Sequence, residues 1–117
     1  MKFLVIYRED TTMSAQLPPP VLMPMVEATG HWMIELKGSG KVTETAFLNP
    51  SHGGMAVFDV KDPGELLELV ESCPVRPICT VETHPLIDAK EWLPLFAKVH
   101  QRAIASFEKM AAAMPKK

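Results

Sequence analysis

The chain has 117 residues, 47% of them hydrophobic and 22% charged, which are the size and balance of a single ordinary globular protein. Its formal charge of -2 provides no basic field for phosphate backbones and sets nucleic acid aside as a partner. No apolar run approaches the roughly 20 residues that cross a bilayer, and KFLVIYRED meets charge too soon for a signal-peptide core, so a cytoplasmic protein without membrane contact is expected.

In KFLVIYR (2–8), Phe3, Val5 and Tyr7 alternate with Leu4 and Ile6, which predicts a central strand covered on both faces. EDTTMSAQL reads as a polar loop. The prolines at 18–20 suit the start of a helix, where a missing N–H leaves nothing unpaired. Leu22, Met25, Val26, Trp32, Met33 and Leu36 then recur at helical spacing and predict a helix over about 20–37. Pro24 falls near its first turn, and KGSGK supplies a glycine-rich stop.

KVTETAFL (41–48) reads as a second strand, NPSHGG as a turn, and GGMAVFDV (53–60) as a third strand apolar on both faces. In KDPGELLELVESCP, Asp62 is the expected N-cap and Pro63 the first helical residue, with Leu66, Leu67, Leu69 and Val70 as the buried stripe. ICTVETHPL (78–86) is the fourth strand.

The order βαββαβ is that of a ferredoxin-like α+β unit, an antiparallel four-stranded sheet with both helices on one face and strands one and three in its centre. The other face then lacks cover from its own chain, and a second subunit is its natural lid, making a homodimer or larger homo-oligomer the expected form. Beyond Leu86 the chain reads as a helix whose Leu93, Phe96, His100, Ala103, Phe107, Met110 and Met114 alternate steps of three and four. The expected organisation is therefore a domain over 1–87 and a helical extension over 88–117 that docks on a neighbouring subunit.

The proline-led helix start at 18–20, GKV (40–42), FDV (58–60), GEL (64–66) and CPVRPICTVETHPL (73–86) together resemble the muconolactone isomerase family, over about residues 1–87. The longest of these segments carries Pro74, Pro77, Glu82, Pro85 and Leu86 at spacings similar to the family's own. The resemblance implies a dimeric α/β barrel that shifts a proton on a small unsaturated lactone acid without metal or organic cofactor. Related barrels include cofactor-free quinone-forming monooxygenases and polyketide cyclases. The chain departs from the family pattern at Val42, where an aromatic is usual, at Arg76 in place of a large apolar residue, at His84 in place of a small hydroxyl, and in its longer tail.

Proton transfer beside a carbonyl needs a base, a donor for the developing enolate, and a dry pocket. In a strand, Glu82 and His84 share one face, and Tyr7 on a neighbouring strand is the expected third member of a catalytic group. A carboxylate against apolar walls has its pKa raised, which would suit Glu82 as base with His84 orienting it. The competing reading is a charged edge strand that discourages wrong pairing. Arg76 is a candidate partner for a substrate carboxylate. His52 in its glycine-flanked turn, Trp32 as a wall and His100 as a lid from a neighbouring subunit complete the expected substrate-binding set. Glu44 is placed on one face with Val42, Ala46 and Leu48, and Glu27 and His31 form a solvent-side i, i+4 pair.

Four scattered histidines provide no closely spaced ligand set, GSG follows a helix and so is no phosphate loop, and Cys73 and Cys79 match no metal or redox motif. Neither metal nor organic cofactor is expected, and the cysteines read as reduced core residues. Three functions follow: an acid/base isomerase or cyclase on a small oxygenated molecule, a cofactor-free monooxygenase of an aromatic or polyketide, or a non-catalytic binding or assembly module.

Overall fold

The computed structural model describes residues 1–48 and 52–115. Of the expected NPSHGG turn, 49–51 lie outside the described residues, as do the two terminal lysines of the tail. Two compact units divide the chain, Met1–Leu86 and Ile87–Lys117.

In the first unit, β1 (Lys2–Glu9), β2 (Val42–Leu48), β3 (Gly53–Asp59) and β4 (Cys79–Leu86) form one sheet in the order β2-β3-β1-β4. All three pairings are antiparallel. The helices are α1 (Thr11–Ser14), α2 (Pro19–Gly38) and α3 (Pro63–Glu71). This is the ferredoxin-like arrangement, with the two strands that are apolar on both faces at its centre.

The short α1 falls where a loop was expected. Asp10 explains it, because its Oδ1 accepts hydrogen bonds from the backbone N–H groups of Thr12 and Met13 and so caps a single turn. Asp62 caps α3 by accepting from the N–H of Glu65, as the sequence implied. Of the expected stripe on α3, Leu66 and Val70 are buried and Leu69 is half-buried, whereas Leu67 is exposed on the opposite side.

One face of the sheet is covered. There Val5, Tyr7, Val42, Ala56 and Phe58 meet α2 and α3, and Trp32 from α2 stands edge-on to Tyr7 with ring centroids 6.2 Å apart. On the opposite face Leu4, Ile6, Met55 and Val57 form a half-buried apolar stripe.

A bulge between Val42 and Glu44 corrects the reading of β2. Val42 lies opposite Phe58 and is buried, while Glu44 lies opposite Val57. Successive residues of β3 project to opposite faces, so Val42 and Glu44 do too. The extra residue, Thr43, turns Glu44 to the uncovered side.

The second unit contains α4 (Ala89–Ala113), capped by the Asp88 carboxylate, which accepts from the N–H of Lys90. None of its residues is buried, and Trp92, Phe96 and His100 stack in succession at centroid separations of 4.7 and 5.7 Å. No described helix is long and apolar enough to cross a membrane.

Candidate active site

Between α2 and the ends of β1, β2 and β3 lies a cavity of about 200 Å³. An engineered apolar cavity of about 150 Å³ holds a benzene molecule, so this one has room for a single-ring compound. Val26, Met33, Phe47 and Ile78 supply apolar wall. Polar atoms come from Glu9, Thr29 and His52, and the thiols of Cys73 and Cys79 complete the deep side.

Glu9 reaches the cavity through strand alternation: Phe3, Val5, Tyr7 and Glu9 all project to the covered face of β1. Its side chain is only 16% exposed, and Oε2 lies 3.6 Å from Nδ1 of His52. The backbone fixes the same pair, since the N–H of Glu9 donates to the His52 carbonyl at 2.9 Å. His52 has a φ of 45°, the left-handed region that non-glycine residues enter at a cost, and its ring is 74% exposed at the mouth. Immediately after it, Gly53 is required by close approach, because a Cβ there would collide with the Tyr7 carbonyl oxygen.

Tyr7 lines the cavity but is 2% exposed, and its hydroxyl donates to the Val70 carbonyl at 3.1 Å. Burial first, then the neighbouring Cys73, pushes the phenol far above its ordinary pKa. Burial likewise raises Cys73, and it lifts the Cys79 thiol to about 11, with Cys73 and Glu9 adding to the effect. Both thiols are free and neutral near pH 7.

The group expected to work together is divided by the sheet. Glu82 pairs with Ile6 and His84 with Leu4, so both stand on the uncovered face, whereas Tyr7 pairs with Val81 on the covered one. Adjacent strands were correctly expected for Tyr7 and Glu82, but their register puts one residue above the sheet and the other below it. Within one chain Glu82 is 46% exposed, its Oε1 accepts from Arg8 Nε at 3.0 Å, and Oε2 lies 3.4 Å from His84 Nε2. Arg8 first, and His84 second, hold its carboxyl below the usual value, the reverse of the rise expected for a base against apolar walls.

The remaining expected residues are scattered. Of them, His52 alone joins Tyr7 at the cavity. Trp32 is a core wall whose Nε1 donates to Ser72 Oγ at 3.0 Å. Arg76 lines a separate groove between α3 and β4, bonded to Glu71 at 3.1 Å and donating to the Cys79 carbonyl at 2.9 Å. His100 is on α4. Among the described residues no group of three or more His, Cys, Asp or Glu is arranged to hold a metal ion.

Glu9 and Thr29 are the polar cavity residues that the sequence reading did not single out, and Cys73 and Cys79 were read there only as core thiols. Glu9 was legible in principle: it continues the two-residue period of Val5 and Tyr7.

The profile of the muconolactone delta-isomerase family matches residues 1–90. The chain belongs to that family. Among solved structures, it is similar to the 5-chloro-2-hydroxyhydroquinone dehydrochlorinase of Burkholderia phenoliruptrix AC1100, in complex with 2,5-dihydroxybenzoquinone. The two share 16% identity at a TM-score of 0.53, over 78% of this chain and 98% of that one. At that identity the likeness concerns the fold alone. No protein of curated function gave a significant match. Family and fold together support an enzyme of small molecules, and most of α4 falls beyond the stretch that the family profile matches.

Proposed function

We propose that the protein moves a proton on a small oxygenated ring compound, in an isomerisation or cyclisation, with Glu9 as the base. The observation that carries this reading is the mostly buried Glu9 carboxylate in an apolar cavity, 3.6 Å from an imidazole that is itself 74% exposed. A base must sit where a carbon acid is desolvated, and its proton must afterwards leave. Glu9 meets the first need. His52, spanning cavity mouth and solvent, meets the second by exchanging that proton with water. The neutral thiols of Cys73 and Cys79 are the cavity donors left for a developing oxyanion, because the single O–H of Thr29 is already donated to the Met25 carbonyl at 2.9 Å.

The same base would begin an elimination such as the one named for the structural neighbour, so the arrangement supports proton abstraction more firmly than any one outcome of it. The working form in this reading is a homo-oligomer, in which a second copy covers the stripe of Leu4, Ile6, Met55 and Val57 and α4 docks through its apolar seam. Light scattering during size-exclusion chromatography tests the assembly; a monomer at micromolar concentration overturns it. For the chemistry, α-angelica lactone in D2O is the first probe, followed by NMR for solvent deuterium entering the ring. Exchange above the buffer rate is expected, and its persistence in Glu9→Gln overturns the choice of base.

A further inference from the structure

The geometry points to an uncharged ring compound as the ligand of this cavity, in contrast to the lactone acid that the family resemblance implies. The inference rests on the cavity being the substrate site. An acid anion entering it would leave water for walls of Val26, Met33, Phe47 and Ile78 and would approach the carboxylate of Glu9. Both steps are unfavourable for a negative charge, the first by desolvation and the second by repulsion.

Among the described residues that line or flank the cavity, the cations that would reverse this are committed elsewhere. Arg76, the residue the sequence offered for a substrate carboxylate, lines the other groove and is held by Glu71 and the Cys79 carbonyl. Arg8 neighbours Glu9 in sequence but projects to the opposite face, where it is bonded to Glu82. His52 when protonated supplies one positive charge, and that charge faces Glu9 at 3.6 Å, so a ligand carboxylate would have to compete with Glu9 for it. The described residues of the first unit thus place the Glu9 carboxylate in the cavity and leave no free counter-charge beside it for an acid. A neutral lactone, enone or phenol fits what remains, with its acidic proton directed at Glu9.

Muconolactone and its methyl ester provide the test, because they share a ring while the ester is the larger and the uncharged member. Calorimetric titration of the full-length protein at pH 7 should show the ester binding at least tenfold more tightly than the acid. The gap should narrow in Glu9→Gln, which removes the repulsion. Val26→Trp, at the half-open edge of the cavity, should abolish ester binding and so locate it. An acid that binds as tightly as its ester overturns the inference, as does failure of both to bind, ester binding that survives Val26→Trp, or a gap that Glu9→Gln leaves unchanged. The acid/base reading fails separately: deuterium exchange that persists in Glu9→Gln removes the base while the preference for the neutral ligand stands.

Discussion

The sheet carries two glutamate–histidine pairs of nearly equal separation, one on each face, and they differ in almost everything else. Glu9 and His52 are 3.6 Å apart and Glu82 and His84 are 3.4 Å apart. Yet Glu9 is 16% exposed in an apolar cavity, whereas Glu82 is 46% exposed and shares its charge with Arg8. Proximity of acid and imidazole is therefore not what separates the pair proposed for proton transfer from the other one. What distinguishes the first pair is the apolar wall around Glu9, which keeps most of its side chain from water.

The most forceful way to break the comparison is to neutralise each glutamate in turn. General acid/base groups contribute on the order of a hundred- to ten-thousandfold to rate, so Glu9→Gln should lower turnover by a factor in that range while Glu82→Gln stays within a few-fold of the parent. Equal losses would place the chemistry on the uncovered face and restore the pair that the sequence suggested. Stopped-flow or NMR progress curves on the same substrate would decide it.

A second test sharpens the contrast from the cavity side. With its thiol raised to about 11 from the ordinary 9.0, Cys79 carries roughly a hundredfold less thiolate at pH 8 than a free cysteine does. Alkylation by iodoacetamide should be slower by at least that factor and should accelerate as pH rises toward 11. The sign on stability is the same: a thiol that resists ionisation when folded favours the native state below pH 9, and that advantage declines as pH climbs past the unfolded value. Labelling at pH 8 as rapid as that of a model thiol would mean that the cavity is wetter than its walls imply.

How much of this was visible in the sequence depends on which physical signal each element carries. Strands β1 and β3 were legible because both of their faces are apolar, and α3 because Asp62 and Pro63 mark its first turn. The bulge at Thr43 was not, since nothing in the local sequence marks an inserted residue that partner strands alone reveal. Glu9 was missed for a related reason: as the first of two acids it reads as the start of a loop, and only pairing with β4 extends β1 that far. The attraction of Glu82 and His84 was real at the level of spacing, but strand alternation gives a shared face without saying which face it is.

Tyr7 also belongs to the comparison, because it lines the cavity while its hydroxyl is turned to the Val70 carbonyl. Tyr7→Phe should cost about 1 kcal/mol in unfolding free energy, the usual net value of one hydrogen bond, and leave turnover close to the parent's. The Val70 carbonyl it bonds is also approached by the N–H of Cys73, so the acceptor is not left wholly unpaired. A large loss of rate with unchanged stability would assign the phenol a role in proton transfer that its bond to α3 argues against.

The smallest effect expected is on the uncovered face, and it concerns pH. Arg8 and His84 hold Glu82 below its ordinary 4.5, so folding favours its ionised form. That contribution is present above pH 4.5 and is lost as pH falls through the lowered value, because the unfolded chain takes up the proton first. Glu82 is half in water, where solvent and salt screen such a pair, so the change should be small and should shrink further in high salt. Urea melts of parent and Glu82→Gln between pH 3 and 6 would reveal it as a slightly shallower acid limb in the variant. If oligomer assembly buries this face, the same substitution should have a larger effect at concentrations where copies associate, since Arg8 would then lose its partner out of reach of water. A concentration-dependent acid limb would tie the Glu82 pair to assembly, and a concentration-independent one would leave it as the charged border of an edge strand.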